Sequence, residues 1–346
     1  PTAQLLKHRT YVANCTFRYN NGKMTTTGAL AIGSDGATFN VDNCTFEYNE
    51  VPAIGGSAMA ANGIEITNCK FIDNNTKNTN KPQVNLTVGG ANSVSIENCE
   101  FTGAQRTNVG AVAVANMAGI AGDNIVWISG NTIRDHRYGI TFYGGMNATV
   151  ANNQIIDNKY ASSAMAGGAG ISIYDYGTKP NVTITGNTIE GNLWGITVLG
   201  GENVNIGKVD NPDADDYNPG HNTFKNNGNG GALYDLYNNS ALTIYAQGNH
   251  WSVDEQTAEK IESVIFHKPD DAKLGEVIYT PAWDGEGSVN EIASEASDMP
   301  TAKSMPKVPT FRFTHLAAHS WLAQTALPTF RLSQAAYTWH AQTAKC

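Results

Sequence analysis

Apolar and polar residues alternate along this chain in short runs separated by Gly and Asn. The clearest run is residues 181–201, NVTITGNTIEGNLWGITVLGG, where Val182 and Ile184 alternate with Thr183 and Thr185. Gly186-Asn187 interrupts, Ile189 follows, and a second alternating run carries Ile196 and Val198. A period of two broken by turn residues predicts short strands, and no helical period competes with it. A unit this short cannot bury its own faces, so copies of it must stack.

Those copies are visible. Taking the apolar residue two places after the turn residue as an anchor gives Phe17, Phe46, Phe71, Phe101, Ile133, Ile155, Ile189, Phe224 and Trp251, spaced 29, 25, 30, 32, 22, 34, 35 and 27 residues apart. Such spacing, with insertions of varying length, predicts a solenoid whose repeats touch only their neighbours. At roughly 4.8 Å per coil, nine coils make a rod on the order of 40 Å long. Two places before each anchor stand Cys15, Cys44, Cys69, Cys99, Asn131, Asn153, Asn187, Asn222 and Asn249. Three places after it stand Asn20, Asn49, Asn74, Ala104, His136, Asn158, Asn192 and Asn227. In register, each column becomes a vertical file, and stacked Asn amides can bond one another along the axis.

These columns give the chain its resemblance to the right-handed parallel β-helix proteins of the pectate-lyase-like superfamily, over roughly residues 11–283. The resemblance implies an all-β fold: a right-handed, single-stranded parallel β-helix of about nine or more coils with a short helical C-terminal cap. It implies little about function, because lyases, hydrolases, epimerases, adhesins and phage spikes share that scaffold. The expected division is a β-helix over 1–251, a cap over 252–284 and a non-repetitive basic tail over 285–346. In the cap, Ala258, Ile261, Val264 and Ile265 predict a helix within 255–266, and 277–279 a last strand. The first ten residues lack a signal-peptide core, and with Tyr11 already in a coil they read as a processed or truncated end.

Composition sharpens this picture. Thirty-five glycines suit many turns, and the net charge of −9 argues against nucleic acid as a partner. No run of 18 apolar residues predicts membrane insertion. After Asp298 the chain has five basic residues and no acid, so the remainder holds 17 basic against 31 acidic residues and carries −14. The cysteine column leaves two readings open: an inward stack of free thiols, or disulfides between adjacent coils. Phe17-Arg-Tyr-Asn20, Phe46-Glu-Tyr-Asn49, Phe71-Ile-Asp-Asn74 and Phe224-Lys-Asn-Asn227, with Gly28-Ala-Leu30 and Gly230-Gly-Ala-Leu233, resemble in part the FxxN and GGA repeats of polymorphic outer membrane proteins, which are surface adhesins.

Residues capable of chemistry concentrate in the central coils. Asp135, His136, Asp157 and Asp175 are the candidate catalytic residues; Asp135 stacked on Asp157 would suit acid and base work on a glycoside. Arg134, Arg137, Tyr143, Lys159, Tyr174, Tyr176, Trp194, Tyr234 and Asp235 are the candidate substrate-binding residues, with aromatic rings available to sugar faces. Each also has a structural reading: Asp as a turn former, His136 as a member of the Asn column, Tyr and Trp as shields of the rod's side. The acid-rich loop 210–216 offers oxygen ligands to Ca²⁺ but no fixed spacing, so a solvated loop is preferred and no cofactor is expected. Catalytic patterns of polygalacturonases and pectate lyases are mostly absent: Asp215-Asp216 and Gly220-His221 lie in one loop rather than on successive coils. The favoured function is therefore a secreted or surface bacterial protein that binds polysaccharide or a host surface without chemistry. A polysaccharide lyase or glycoside hydrolase, and a structural stalk, are the alternatives.

Overall fold

The computed structural model describes residues 9–285 apart from 23–27, 33–37, 58–62, 91, 118, 120 and 121. The amino end and residues 286–346 of the expected tail lie outside the described residues. The chain winds through three parallel sheets of ten, eight and nine strands, here called first, second and third in the order each coil visits them. One complete coil is Asn147–Ala151, Gln154–Ile156 and Ala169–Tyr174, and the next is Asn181–Thr185, Thr188–Glu190 and Trp194–Val198. Their registers hold residue for residue, Val150 beside Ile184 and Ile155 beside Ile189. A two-stranded antiparallel hairpin, Gly228–Asn229 with Ala232–Leu233, departs from the pattern.

Alternation produces the core. Val182, Ile184, Ile189, Ile196 and Val198 point inward and are buried, while Thr183 points out, as period two requires. Coil upon coil, the anchors stack: ring centroids are 4.7 Å apart for Phe17 and Phe46, 5.2 Å for Phe46 and Phe71, and 4.4 Å for Phe71 and Phe101. Phe224 and Trp251 repeat this at 4.9 Å near the far end.

Two turns explain the Asn and Gly columns. The residue before each member of the Cys/Asn file, from Asn14 to Gly248, has a positive φ, between 49° and 66°. Asn and Gly tolerate that left-handed conformation best, and the column reads Asn, Asn, Asn, Asn, Gly, Asn, Gly, His, Gly. A second left-handed column, two residues after the anchor, includes Asp73, Asp135, Asp157, Gly191 and Asn226. Backbone geometry therefore accounts for acids at Asp135 and Asp157.

Both files are continuous. The Cys15, Cys44 and Cys69 amides each donate to the next Sγ at 3.4 Å, and the Cys99 amide donates to Asn131 Oδ1 at 2.9 Å. From there the Asn131, Asn153, Asn187 and Asn222 amides donate to the next Oδ1 at 2.9 to 3.0 Å. Of the two readings of the cysteines, free buried thiols hold for Cys44, Cys69 and Cys99. The adjacent Cys99 thiol, then burial, pushes the Cys69 thiol up, and burial does the same at Cys44, so both stay protonated.

The second file differs from expectation at one coil. Ala104 has no side-chain amide, and Gln83, at the end of the insertion over residues 75–83, fills the gap from inside. Its Oε1 accepts the backbone and side-chain N–H of Asn74 at 3.0 and 2.7 Å. Its Nε2 donates to Thr102 O at 3.1 Å and lies 2.7 Å from His136 Nε2. One side chain thus bridges the coils on either side of Ala104.

The expected helix is shorter than predicted, Ala258–Glu262. Ile265–Phe266 forms a strand beside Leu236–Tyr237 instead, because an open sheet edge offers those residues pairing that a helix cannot. Val277–Ile278 pairs with Ile244 and Tyr245, one residue short of the expected strand.

Candidate functional site

The third sheet has a leading margin, where the chain enters its strands, and a trailing margin, where it turns back to the first sheet. The candidate residues divide between them. Asp135, His136, Arg137, Asp157, Lys159, Trp194, Tyr234 and Asp235 belong to the leading side. Tyr143, Tyr174, Asp175 and Tyr176 belong to the trailing side. Arg134 stands apart, exposed on the outer face of the second sheet beside Ile156.

On the leading side, side chains are largely committed to the fold. His136 is 1% exposed and donates its backbone N–H to Asn158 Oδ1 at 3.2 Å. Burial pushes its imidazole down to about 3, so it is neutral. Since the Gln83 amide is oriented by Asn74, Gln83 Nε2 donates and His136 Nε2 accepts, which places the ring proton on Nδ1. Asp235 is fully buried and ends the same file: its carboxylate accepts from Asn227 Nδ2 at 3.0 Å and from the Ser252 amide and hydroxyl at 2.7 and 2.8 Å. Burial outweighs these bonds and pushes its carboxyl up to about 6. The expectation that Asp235 contacts substrate is corrected by that burial, and His136 is likewise a ladder member out of reach of a polymer.

Arg137 clamps the insertion over residues 161–167. Its Nε donates to Ala166 O at 3.0 Å, one terminal nitrogen reaches the same carbonyl, and the other reaches Asn80. Trp194 Nε1 donates to Ala164 O at 3.2 Å, and its ring lies against Tyr234 at 4.7 Å and Tyr237 at 5.1 Å. Asp157 is held by Lys159 at 2.5 Å. Asp135 occupies the equivalent position on the preceding coil, as the register of Arg134 with Ile156 requires. These two acids are neighbours, but Asp175 does not join them: the six residues of Ala169–Tyr174 intervene, roughly 20 Å of strand.

On the trailing side Tyr143 and Tyr174 stack at 4.7 Å with an interplanar angle of 15°. Coil-on-coil stacking turns their faces toward each other and their edges outward, so they are not a flat platform. Burial pushes both phenols up. Asp175 is exposed, yet partial burial raises its carboxyl against the opposing Lys179, with Glu202 adding a smaller push upward. Close by, at the corner between the third and first sheets, is an open depression of about 140 Å³ lined by Asn116, Gly145, Asn147, Thr178, Lys179 and Asn181. Thr178 Oγ1 accepts the Gly145 amide at 2.7 Å, and Asn181 Nδ2 donates to Asn147 Oδ1 at 2.9 Å. Sequence reasoning missed this corner, because its members come from three different turns and share no motif.

Two of the four carboxylates of the loop 210–216 are held by separate partners: Asp210 accepts from Gln247 at 2.8 Å and Asp216 pairs with Lys208 at 2.5 Å. Among the described residues, no three His, Cys, Asp or Glu side chains are grouped to hold a metal ion. No helix among them is long and apolar enough to cross a membrane.

Searches of curated proteins and of solved structures return no match. The family model described as the right handed beta helix region matches residues 5–161 and 88–249, well over half of the chain. Together with three all-parallel sheets in continuous register, this shows that the chain belongs to the right-handed β-helix family.

Proposed function

We propose that this protein binds a polysaccharide or host glycan along the side of its central coils without cleaving it, outside the cell or on a bacterial surface. The observation that carries the reading is the trailing corner. The amides of Asn147 and Asn181, the Thr178 hydroxyl and the Lys179 ammonium surround an open depression with the buried Asn116 beneath them. Convergent donors and acceptors of this kind suit sugar hydroxyls, directly or through water. The FxxN and GGA elements, similar to those of surface adhesins, point to the same setting.

The placement of the acids supports binding over chemistry. A glycosidase holds two carboxyl groups about 5 to 9.5 Å apart across the scissile bond. Here Asp135 and Asp157 are neighbours on adjacent coils, but both stand at left-handed turn positions that account for them through backbone geometry, and Asp157 is paired with Lys159. Asp175 lies across the sheet from them, and His136 and Asp235 are buried in the second file. Continuous ladders also suit a bare stalk, which would retain no glycan. Screening the purified protein against a glycan panel, read for retention and for new reducing or unsaturated ends, tests all three readings. We expect retention without new ends; new ends would overturn the non-catalytic reading, and no retention of any glycan would overturn binding itself.

A further inference from the structure

Trp127 lies on the outer face of the first sheet, in the strand Ile125–Ser129. Its neighbours Val126 and Ile128 are buried, so alternation turns the indole outward, where it is half-buried. Its Nε1 donates to Ser129 Oγ at 2.8 Å, two residues along on the same face, which lays the ring along its own strand. The residues flanking it in register are Ser95 and Thr149. Both are too small to cover an indole. Unlike Tyr143, Tyr174 and Trp194, Trp127 has no ring stacked on it among the described residues, and part of its indole is exposed to solvent.

Register also places it beside the corner depression. Ile125 pairs with Asn147 and Trp127 with Thr149, and on the next coil Asn147 pairs with Asn181 and Thr149 with Thr183. Trp127 is therefore one strand and two residues from Asn147, roughly 8 Å between Cα atoms. That distance suits adjoining sugar units of one chain. At the same corner Asn124 Oδ1 is buried and takes no donor from the described residues, while its Nδ2 donates to Gly145 O at 3.4 Å.

We infer that Trp127 and the Asn147–Asn181 corner form one binding strip for a neutral pyranose chain, one sugar stacked on the indole and the next bonded in the depression. This rests on the glycan-binding reading above and goes further in naming the residues and the sugar class. Neutrality follows from the charge around the strip: apart from one lysine in the depression, its members are Trp, Thr, Ser and Asn. The single Lys179 is offset by Glu202 at 4.0 Å and by Asp175, and Glu97 pairs in register with Ser129 beside the indole. A polyuronate would meet net negative charge at each end.

The test uses the full chain with soluble gluco-, manno- and xylo-oligosaccharides and with oligogalacturonate. Affinity is measured by calorimetry for the wild type, Trp127→Ala, Trp127→Phe and Asn181→Ala, each checked by circular dichroism. We expect a neutral oligosaccharide to bind the wild type, Trp127→Ala to weaken it about tenfold, and Trp127→Phe to retain most of it. Asn181→Ala should weaken binding severalfold, and oligogalacturonate should bind more weakly than the neutral ligand. Unchanged affinity in a folded Trp127→Ala protein, or preference for oligogalacturonate, would overturn the strip while leaving glycan binding intact. Failure of every oligosaccharide and every glycan on the panel to bind the wild type would overturn both.

Discussion

The first file is thiol at one end and amide at the other, and the two halves solve one problem differently. Each coil needs an acceptor for the turn amide of the coil before it. In the thiol half that acceptor is sulfur at 3.4 Å, and the Cys44, Cys69 and Cys99 thiols lie 3.1 to 3.2 Å from the carbonyl two residues back. In the amide half it is Oδ1, and Nδ2 adds side-chain bonds from coil to coil, such as Asn131 to Asn153 and Asn153 to Asn187, both at 2.9 Å. The thiol file is thus held mainly by apolar packing beside stacked Phe rings, the amide file by a polar chain in which each member depends on the next.

The comparison predicts an order of damage. The largest effect should come from Asn187→Ala, which removes the acceptor of the Asn153 N–H and Nδ2 and the donor to Asn222 Oδ1, Val150 O and Thr185 O. With several buried groups left unpaired, it should cost about 4 kcal/mol by chemical denaturation. Cys69→Ala in the thiol half should cost less, about 1 to 2 kcal/mol, because a weak acceptor and a small volume are lost. If the two substitutions cost the same, the proposed difference between the halves is wrong.

The second file gives a pH-dependent version of this contrast, since its interruptions titrate in opposite senses. His136 is depressed to about 3, so the folded state binds fewer protons than the unfolded one below the ordinary value of 6.5, and stability falls as pH drops through that window. Asp235 is raised to about 6 from 3.8, so the folded state binds more protons there, and stability falls as pH rises from 4 to 6. The Asp235 contribution is on the order of 3 kcal/mol. Asp235→Asn should leave the rising slope of His136, and His136→Asn the falling slope of Asp235, in stability measured from pH 4 to 6.5.

The smallest effect is expected at the junction of the halves. Cys99→Asn places an amide directly above Asn131, whose Oδ1 already accepts the Cys99 amide at 2.9 Å. A new Nδ2 would find the same acceptor that Asn131 finds at Asn153. Denaturation should show a change within about 1 kcal/mol, neutral or stabilising. A loss of several kcal/mol would mean that side-chain volume, rather than bonding, decides which half carries sulfur.

Much of the fold was legible because each coil repeats the same constraints. A left-handed turn admits Asn or Gly, the file beside it admits Cys or Asn, and the anchor must be apolar. Gln83 escaped because its role arises once, from an irregular insertion that reaches across Ala104. The candidate site was legible only in part. Asp135, Asp157, His136 and Asp235 have the residue types of catalysis, yet turn conformation and ladder position account for the first two and the last two respectively. Trp127 and the corner carried no signal, because outward strand positions are free of the fold's constraints and their adjacency depends on the register across three coils.

Residue-resolved amide hydrogen exchange compares the two halves most directly. The account predicts slower exchange for the backbone amides of Asn131, Asn153 and Asn187, which donate to amide oxygen, than for those of Cys44 and Cys69, which donate to sulfur. Equal protection along the file, or greater protection at the cysteines, would contradict it.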